Sequence, residues 1–169
     1  MQVIETDRLV LRWATESDAA FVLDLVTEPS WKKFIGDSGV KTLTGAREYI
    51  RDKLIASYYE HGFGLYIVEQ KSDGQPVGIC GLVKRETLND VDIGFAFKQA
   101  HWSQGFGFES ANGVMTFCQE NLGLDRLVAI TAPDNQPSIR LLQKLGLNYE
   151  KTMKLDQSKP EVKLFSKIL

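Results

Sequence analysis

The chain has 169 residues, 43% hydrophobic and 25% charged, which suits one globular domain with enough apolar mass for its own core. A formal net charge of −2, with basic residues dispersed, excludes an electrostatic footprint for nucleic acid. Two cysteines, Cys80 and Cys118, are too few for a disulfide framework, and the two histidines lie far from both, so zinc-ligand spacing is excluded and no metal is expected.

In chain order, RLVLRW (8–13) predicts a first strand. TESDAAFVLDLVTE (15–28) predicts a helix capped by Thr15 or Ser17 and closed by Pro29. A loop with Gly36 and Gly39 leads to a second helix from about Thr44 to His61, where Ile50, Leu54 and Tyr58 recur as one buried stripe. FGLYIVEQ and PVGICGLVKR, joined by the turn signal KSDGQ, predict an antiparallel hairpin, and VDIGFAF (91–97) a further strand.

From Gly105 the period is helical again, with Ala111, Val114, Met115, Cys118 and Leu122 on one face and Gly123 past the end. RLVAIT (126–131) predicts a short strand. The next helix begins near Asn135, turns Ile139, Leu142 and Leu145 inward and stops at Gly146. Strands near 147–153 and 161–168 finish the chain. This order predicts one domain, 1–169, of the α+β (mixed α/β) class: a central, mostly antiparallel sheet of about seven strands flanked by about four helices. No apolar run approaches the roughly 18 residues of a membrane span, and Glu5, Asp7 and Arg8 follow the first residues at once, so a cytoplasmic protein without membrane contact is expected.

The stretch HWSQGFGFES (101–110) carries the first chemical signal. Residues Gln104, Gly105, Phe106, Gly107, Phe108 and Glu109 stand where a strand has ended and a helix starts, so their N–H groups are the unpaired donors of a helix N-terminus. Glycines there let a phosphate approach the main chain. A Gly-x-Gly at a helix start is equally a plain turn. It is no Walker loop, since no Gly-Lys-Ser/Thr follows, and no dinucleotide fingerprint, since the third glycine is missing.

Taken together, TDRLVLR, GFGLYIVEQ with PVGICGL, VDIGFAF, WSQGFGFES and PDNQPSIRLLQKLGL resemble the GNAT superfamily of N-acetyltransferases, and within it the Rim-type branch that acetylates ribosomal-protein N-termini. The resemblance covers essentially the whole chain. It implies acetyl-coenzyme A as cosubstrate and a primary amine as acceptor, a protein N-terminal α-amine or a small molecule such as a polyamine, in a monomer or homodimer. The glycine loop would hold the pyrophosphate. The chain departs from the pattern at Trp102, where Gln or Arg is frequent, and at Ser103, where the branch commonly has Gly. The resemblance further implies that VDIGFAF splays from RLVAIT to admit the pantetheine arm, and that main-chain N–H near Phe95, Ala96 and Phe97 polarises the thioester carbonyl.

An alkylammonium with a pKa near 10 must lose a proton before it attacks, so a carboxylate or a water relay is needed. By the resemblance, Asp92 stands where relatives carry an acidic residue at the mouth of the acceptor site; it is otherwise a solvated strand-end charge. Glu109 also matches the family pattern as base or acceptor contact, yet its first-turn position has a sufficient reason in the helix dipole. His101 is a weaker candidate. Asn135 and Ser138 share one face of a helical first turn. In the resembling branch Ser138 is the suggested hydrogen-bond donor to the departing thiolate, in place of a Tyr absent at Leu142, and Asn135 binds the cofactor arm; the plainer reading of Asn135 is an N-cap. Cys80 and Cys118 read as core, which favours direct transfer over a covalent route. The alternative to an enzyme is a coenzyme A binding module that keeps the fold without catalysis. Trp31, Phe34, Tyr49, Tyr58 and Tyr59 border the acceptor site or serve as core.

Overall fold

The computed structural model describes residues 1–169. Eight strands form one sheet in the order β1-β2-β3-β4-β5-β6-β8-β7. They are β1 (Gln2–Glu5), β2 (Leu9–Arg12), β3 (Leu65–Gln70), β4 (Pro76–Val83), β5 (Asp92–Phe97), β6 (Arg126–Thr131), β7 (Asn148–Lys154) and β8 (Glu161–Ile168). Every neighbouring pair is antiparallel except β5 and β6. The strand beyond the expected seven is β1, four residues with only Ile4 buried, too short to show an alternation.

The first expected helix is a 3-10 turn, Glu16–Asp18, leading into α1 (Ala19–Val26). Thr15 and Asp18 form a capping box. The Asp18 carboxylate also accepts from both terminal nitrogens of Arg12, at 2.9 and 2.8 Å, which fastens the helix entry to β2. The first helix ends before Pro29 as expected, and Pro29 in turn opens a further short helix, α2 (Pro29–Phe34). Its fixed φ and missing N–H cost nothing in a first helical turn. The second expected helix is α3 (Leu43–Tyr49) and α4 (Ala56–His61), joined without a break by a π-helical turn, Ile50–Ile55. The stripe Ile50, Leu54 and Tyr58 is buried as the period requires.

The core is one cluster of 34 buried residues drawn from the helices and the sheet. A second cluster, Leu88, Val128 and Leu164, lies on the face of β6 and β8 opposite the one α6 covers, with Ile130, Met153 and Leu155 packed against it. Helix α5 (Phe106–Phe117), prolonged by a π-helical turn to Leu122, connects the two parallel strands, and α6 (Gln136–Lys144) follows β6. Because β5 and β6 run in the same direction, the helices that follow them begin at the same end of the sheet. No helix is long and apolar enough to cross a membrane.

Candidate active site

Strands β5 and β6 are joined at a single register pair, Asp92↔Val128, where the Val128 N–H donates to the Val91 carbonyl at 3.1 Å. Beyond it they diverge toward their carboxyl ends, while β5 stays paired with β4 along its length. Open α/β sheets place ligands at such a parting of parallel strands. Main-chain groups alternate sides along a strand. The Lys98 N–H donates to Val77 of β4, so the amides of Phe95 and Phe97 face the opening and that of Ala96 faces β4. Ala96 is therefore not placed to offer the main-chain donor expected of it. The Phe97 carbonyl is occupied as well, by the Trp102 indole Nε1–H at 2.8 Å. That leaves the Phe95 N–H and C=O and the Phe97 N–H on the open edge, which is what an added extended arm could pair with.

The start of α5 lies at the same end. Gly105 is the N-cap with φ +82°, a conformation that disfavours a side chain. The N–H groups of Gln104, Gly105, Phe106, Gly107 and Phe108 find no acceptor in the protein. Glu109 differs: its N–H donates to the Gly105 carbonyl at 3.0 Å, so the run of free donors ends at Phe108 and Glu109 does not belong to it as expected. Gly107 has an additional reason to be glycine, since a Cβ there would lie 3.0 Å from Leu141 Cδ2 on α6. Ser103 takes φ +62°, the only non-glycine residue in the left-handed region, which explains why glycine suits that position. The donor array, the glycine conformation and the open strand edge fit the diphosphate and pantetheine of a coenzyme A thioester.

The Glu109 carboxylate is committed to structure. It accepts from Thr6 Oγ1 at 2.6 Å, from the Arg8 N–H at 2.7 Å and from Arg8 Nε at 2.7 Å. Burial works against its charge, but these donors outweigh it and hold the carboxyl below its ordinary value. A carboxylate so held is a poor base.

Asp92 is not the solvated strand-end charge that sequence allowed: it is 1% exposed. Oδ2 accepts from Arg85 Nε at 2.7 Å, and Oδ1 is buried with no partner. Burial pushes the carboxyl up, against the neighbouring Arg85 charge and its hydrogen bond. By register Asp92 shares a face with Val128, the face floored by the small apolar cluster. Tyr49, half-buried on α3, also feels the Arg85 charge, though burial raises its hydroxyl overall. Of the other aromatics named from sequence, Trp31 and Tyr58 are buried in the core, Phe34 is half-buried and Tyr59 is exposed.

On α6, the Asn135 side chain accepts from the Ser138 N–H at 3.3 Å, so the capping reading of Asn135 holds in the structure. Both residues are half-buried, and the Ser138 hydroxyl makes no hydrogen bond within the protein. Leu142 is buried, which leaves no proton donor deeper in the helix face. His101 packs against the Phe106 ring at 6.4 Å and is half-buried. Burial pushes the thiols of Cys80 and Cys118 up to about 12, so neither is a nucleophile near neutral pH. No group of His, Cys, Asp and Glu is placed to hold a metal ion. Nothing in the sequence marks Thr6, Arg8 and Arg85 as neighbours of the site; Thr6 and Arg8 fall in the TDRLVLR stretch of the resemblance, but no local pattern ties them to a residue a hundred positions away.

The sequence model described as the acetyltransferase (GNAT) domain matches residues 8–148. The chain is 30% identical over 154 residues to the Bacillus subtilis (strain 168) protein YkkB, covering 88% of this chain and 87% of that one. It is 27% identical over 150 residues to the uncharacterized N-acetyltransferase YoaA of the same organism, covering 88% and 84%. Among solved structures, RimL, a ribosomal L7/L12 alpha-N-protein acetyltransferase in complex with coenzyme A, superposes with a TM-score of 0.85 at 19% identity over 100% of this chain and 98% of that one. An acetyltransferase from Agrobacterium tumefaciens str. C58 gives 0.83 at 21% identity, over 100% and 95%.

Proposed function

The chain belongs to the GNAT acetyltransferase family, acetyl-coenzyme A dependent acyltransferases, and on that premise we propose that it acetylates a primary amine directly, a protein N-terminal α-amine before a free polyamine. The observation that carries this is the parting of β5 and β6 beside the free N–H groups of Gln104 to Phe108, with the buried carboxylate of Asp92 at the point where the strands separate. Likeness in fold to RimL, which acts on a protein N-terminus, supports the acceptor class.

The thioester supplies the activated acetyl group. Gly105 to Phe108 hold the diphosphate by main-chain N–H, which the positive end of the α5 dipole reinforces. The Phe95 and Phe97 amides line the arm and stabilise negative charge on the carbonyl oxygen. Asp92, directly or through one water, takes the proton that the acceptor ammonium must lose; its raised pKa brings it nearer to the amine it serves. Ser138 offers its unused hydroxyl to the departing sulfur, and Asn135 fixes the turn that presents it. Glu109 is a positioning residue.

The acceptor face argues against a polycation. Its floor is Val128, Leu164, Ile130, Met153 and Leu155, and its nearby acids Asp90 and Glu150 are both paired with Arg126. Apolar surface beside one carboxylate suits an amine on a peptide with an apolar side chain. The test is a comparison of initial rates with N-terminal peptides of varied second residue and with spermidine. A kcat/KM for spermidine above that of every peptide would reject the acceptor assignment.

A further inference from the structure

Arg8, in the turn between β1 and β2, reaches across the molecule to the start of α5. Its Nε donates to Glu109 Oε2 at 2.7 Å and its Nη1 to the Gln104 carbonyl at 2.9 Å. The guanidinium carbon lies 4.7 Å from the centre of the Phe106 ring. Nη2 donates to no protein acceptor, yet a Cβ added to Gly105 would lie 3.2 Å from it. Two sides of the fork are thus used to fix the cation, and the third is left beside the N-cap whose amides are free. The side chain is 49% exposed, open to a ligand arriving from solvent.

We propose that Arg8 is a cofactor-binding residue: its Nη2 edge pairs with a diphosphate oxygen of coenzyme A seated on the amides of Gly105 to Phe108. The inference rests on the placement of the diphosphate given above. A helix N-terminus offers only partial charge, whereas a diphosphate carries two negative charges, and a fixed guanidinium supplies the full counter-charge. The ion pair with Glu109 and the Gln104 contact hold the fork in one orientation, so little freedom is lost when the phosphate binds. The same contacts tie the loop to the β1–β2 turn, so a purely bracing role is the competing explanation. Salt bears on the difference, because a charge that meets the phosphate adds to the screened part of the coenzyme A binding energy, whereas a brace acts mainly through the loop conformation.

The experiment is calorimetric titration of the whole protein with coenzyme A at two ionic strengths, for wild type, Arg8→Gln and Arg8→Lys. Arg8→Gln is expected to bind roughly 10-fold or more weakly and to show a flatter salt dependence than wild type. Arg8→Lys, which keeps the charge and loses the fork, is expected to retain the wild-type salt dependence with an intermediate affinity. Affinity within about 2-fold of wild type for Arg8→Gln, or a loss that keeps the wild-type salt dependence, overturns the proposal. If Arg8→Gln fails to fold in a melting curve, a coenzyme A complex of the wild type decides instead: Nη2 must lie within hydrogen-bond reach of a phosphate oxygen. Wild-type protein that binds no coenzyme A rejects the diphosphate site itself.

Discussion

Arg85 donates through Nε to Oδ2 of Asp92 at 2.7 Å and leaves Oδ1 buried without a partner. A carboxylate held on one oxygen and free on the other is oriented and still has lone pairs to offer. Native structures rarely leave such an atom unpaired, and a ligand or water that meets it is the usual reason. This arrangement supports the proposal that Asp92 accepts the ammonium proton.

Asp92→Asn should lower kcat on the order of 10²-fold while coenzyme A affinity stays nearly intact. Only the ionised carboxylate can take the proton, so activity rises with pH through the Asp92 pKa. Burial raises that pKa above 3.8, so the acid limb of kcat/KM should lie above the ordinary carboxylate range. A pH–rate profile checks this, and the limb should vanish in the Asn variant.

Glu109→Gln should behave in the opposite way, with turnover at saturating acetyl-coenzyme A largely kept and melting temperature lowered. The folded-state pKa of Glu109 is depressed, so its stabilisation is present above about pH 4.5 and lost as pH falls through the folded value. Melting curves between pH 7 and pH 3 should converge for wild type and variant at the acid end. An inactive, well-folded Glu109→Gln would assign the base role to this residue instead.

The two loop glycines should separate under substitution. Gly105→Val forces a β-branched residue to φ +82° at the N-cap and should weaken coenzyme A binding by more than about 2 kcal/mol. Gly107→Val meets Leu141 as well and should lower the melting temperature in addition. Ser103→Gly relieves the left-handed strain at φ +62° and should raise stability by up to about 1 kcal/mol. Calorimetry and thermal melts read all three.

How far the sequence reaches is seen best at α5. The glycines, the helix start and the strand before it were legible, because each leaves a local pattern of a few residues. The register of β5 against β6, the turn of the Ala96 amide toward β4 and the burial of Asp92 were not, since they depend on which strands meet. The braces were illegible for the same reason: Thr6 and Arg8 reach Glu109 across more than a hundred residues of chain. Pro29 marks where the first helix has ended, but the helix that it opens was not legible, because one residue type both follows and begins helices.

Ser138→Ala should depress kcat roughly 10-fold with little change in coenzyme A affinity, as expected of a hydrogen bond made mainly in the transition state. Asn135→Ala loses the observed cap, worth about 1 kcal/mol, so its melting temperature should fall along with its cofactor affinity. Unaltered kinetics in Ser138→Ala would leave the leaving group's proton to solvent.

Direct transfer to an amine is tested most squarely by initial-rate kinetics with acetyl-coenzyme A and an N-terminal peptide varied together, the product located by tandem mass spectrometry. A ternary complex predicts intersecting double-reciprocal lines, coenzyme A release that depends on the peptide, and the acetyl group on the peptide's α-amine. Parallel lines with acetyl trapped on the protein, or coenzyme A released at the same rate with and without an amine, would contradict it.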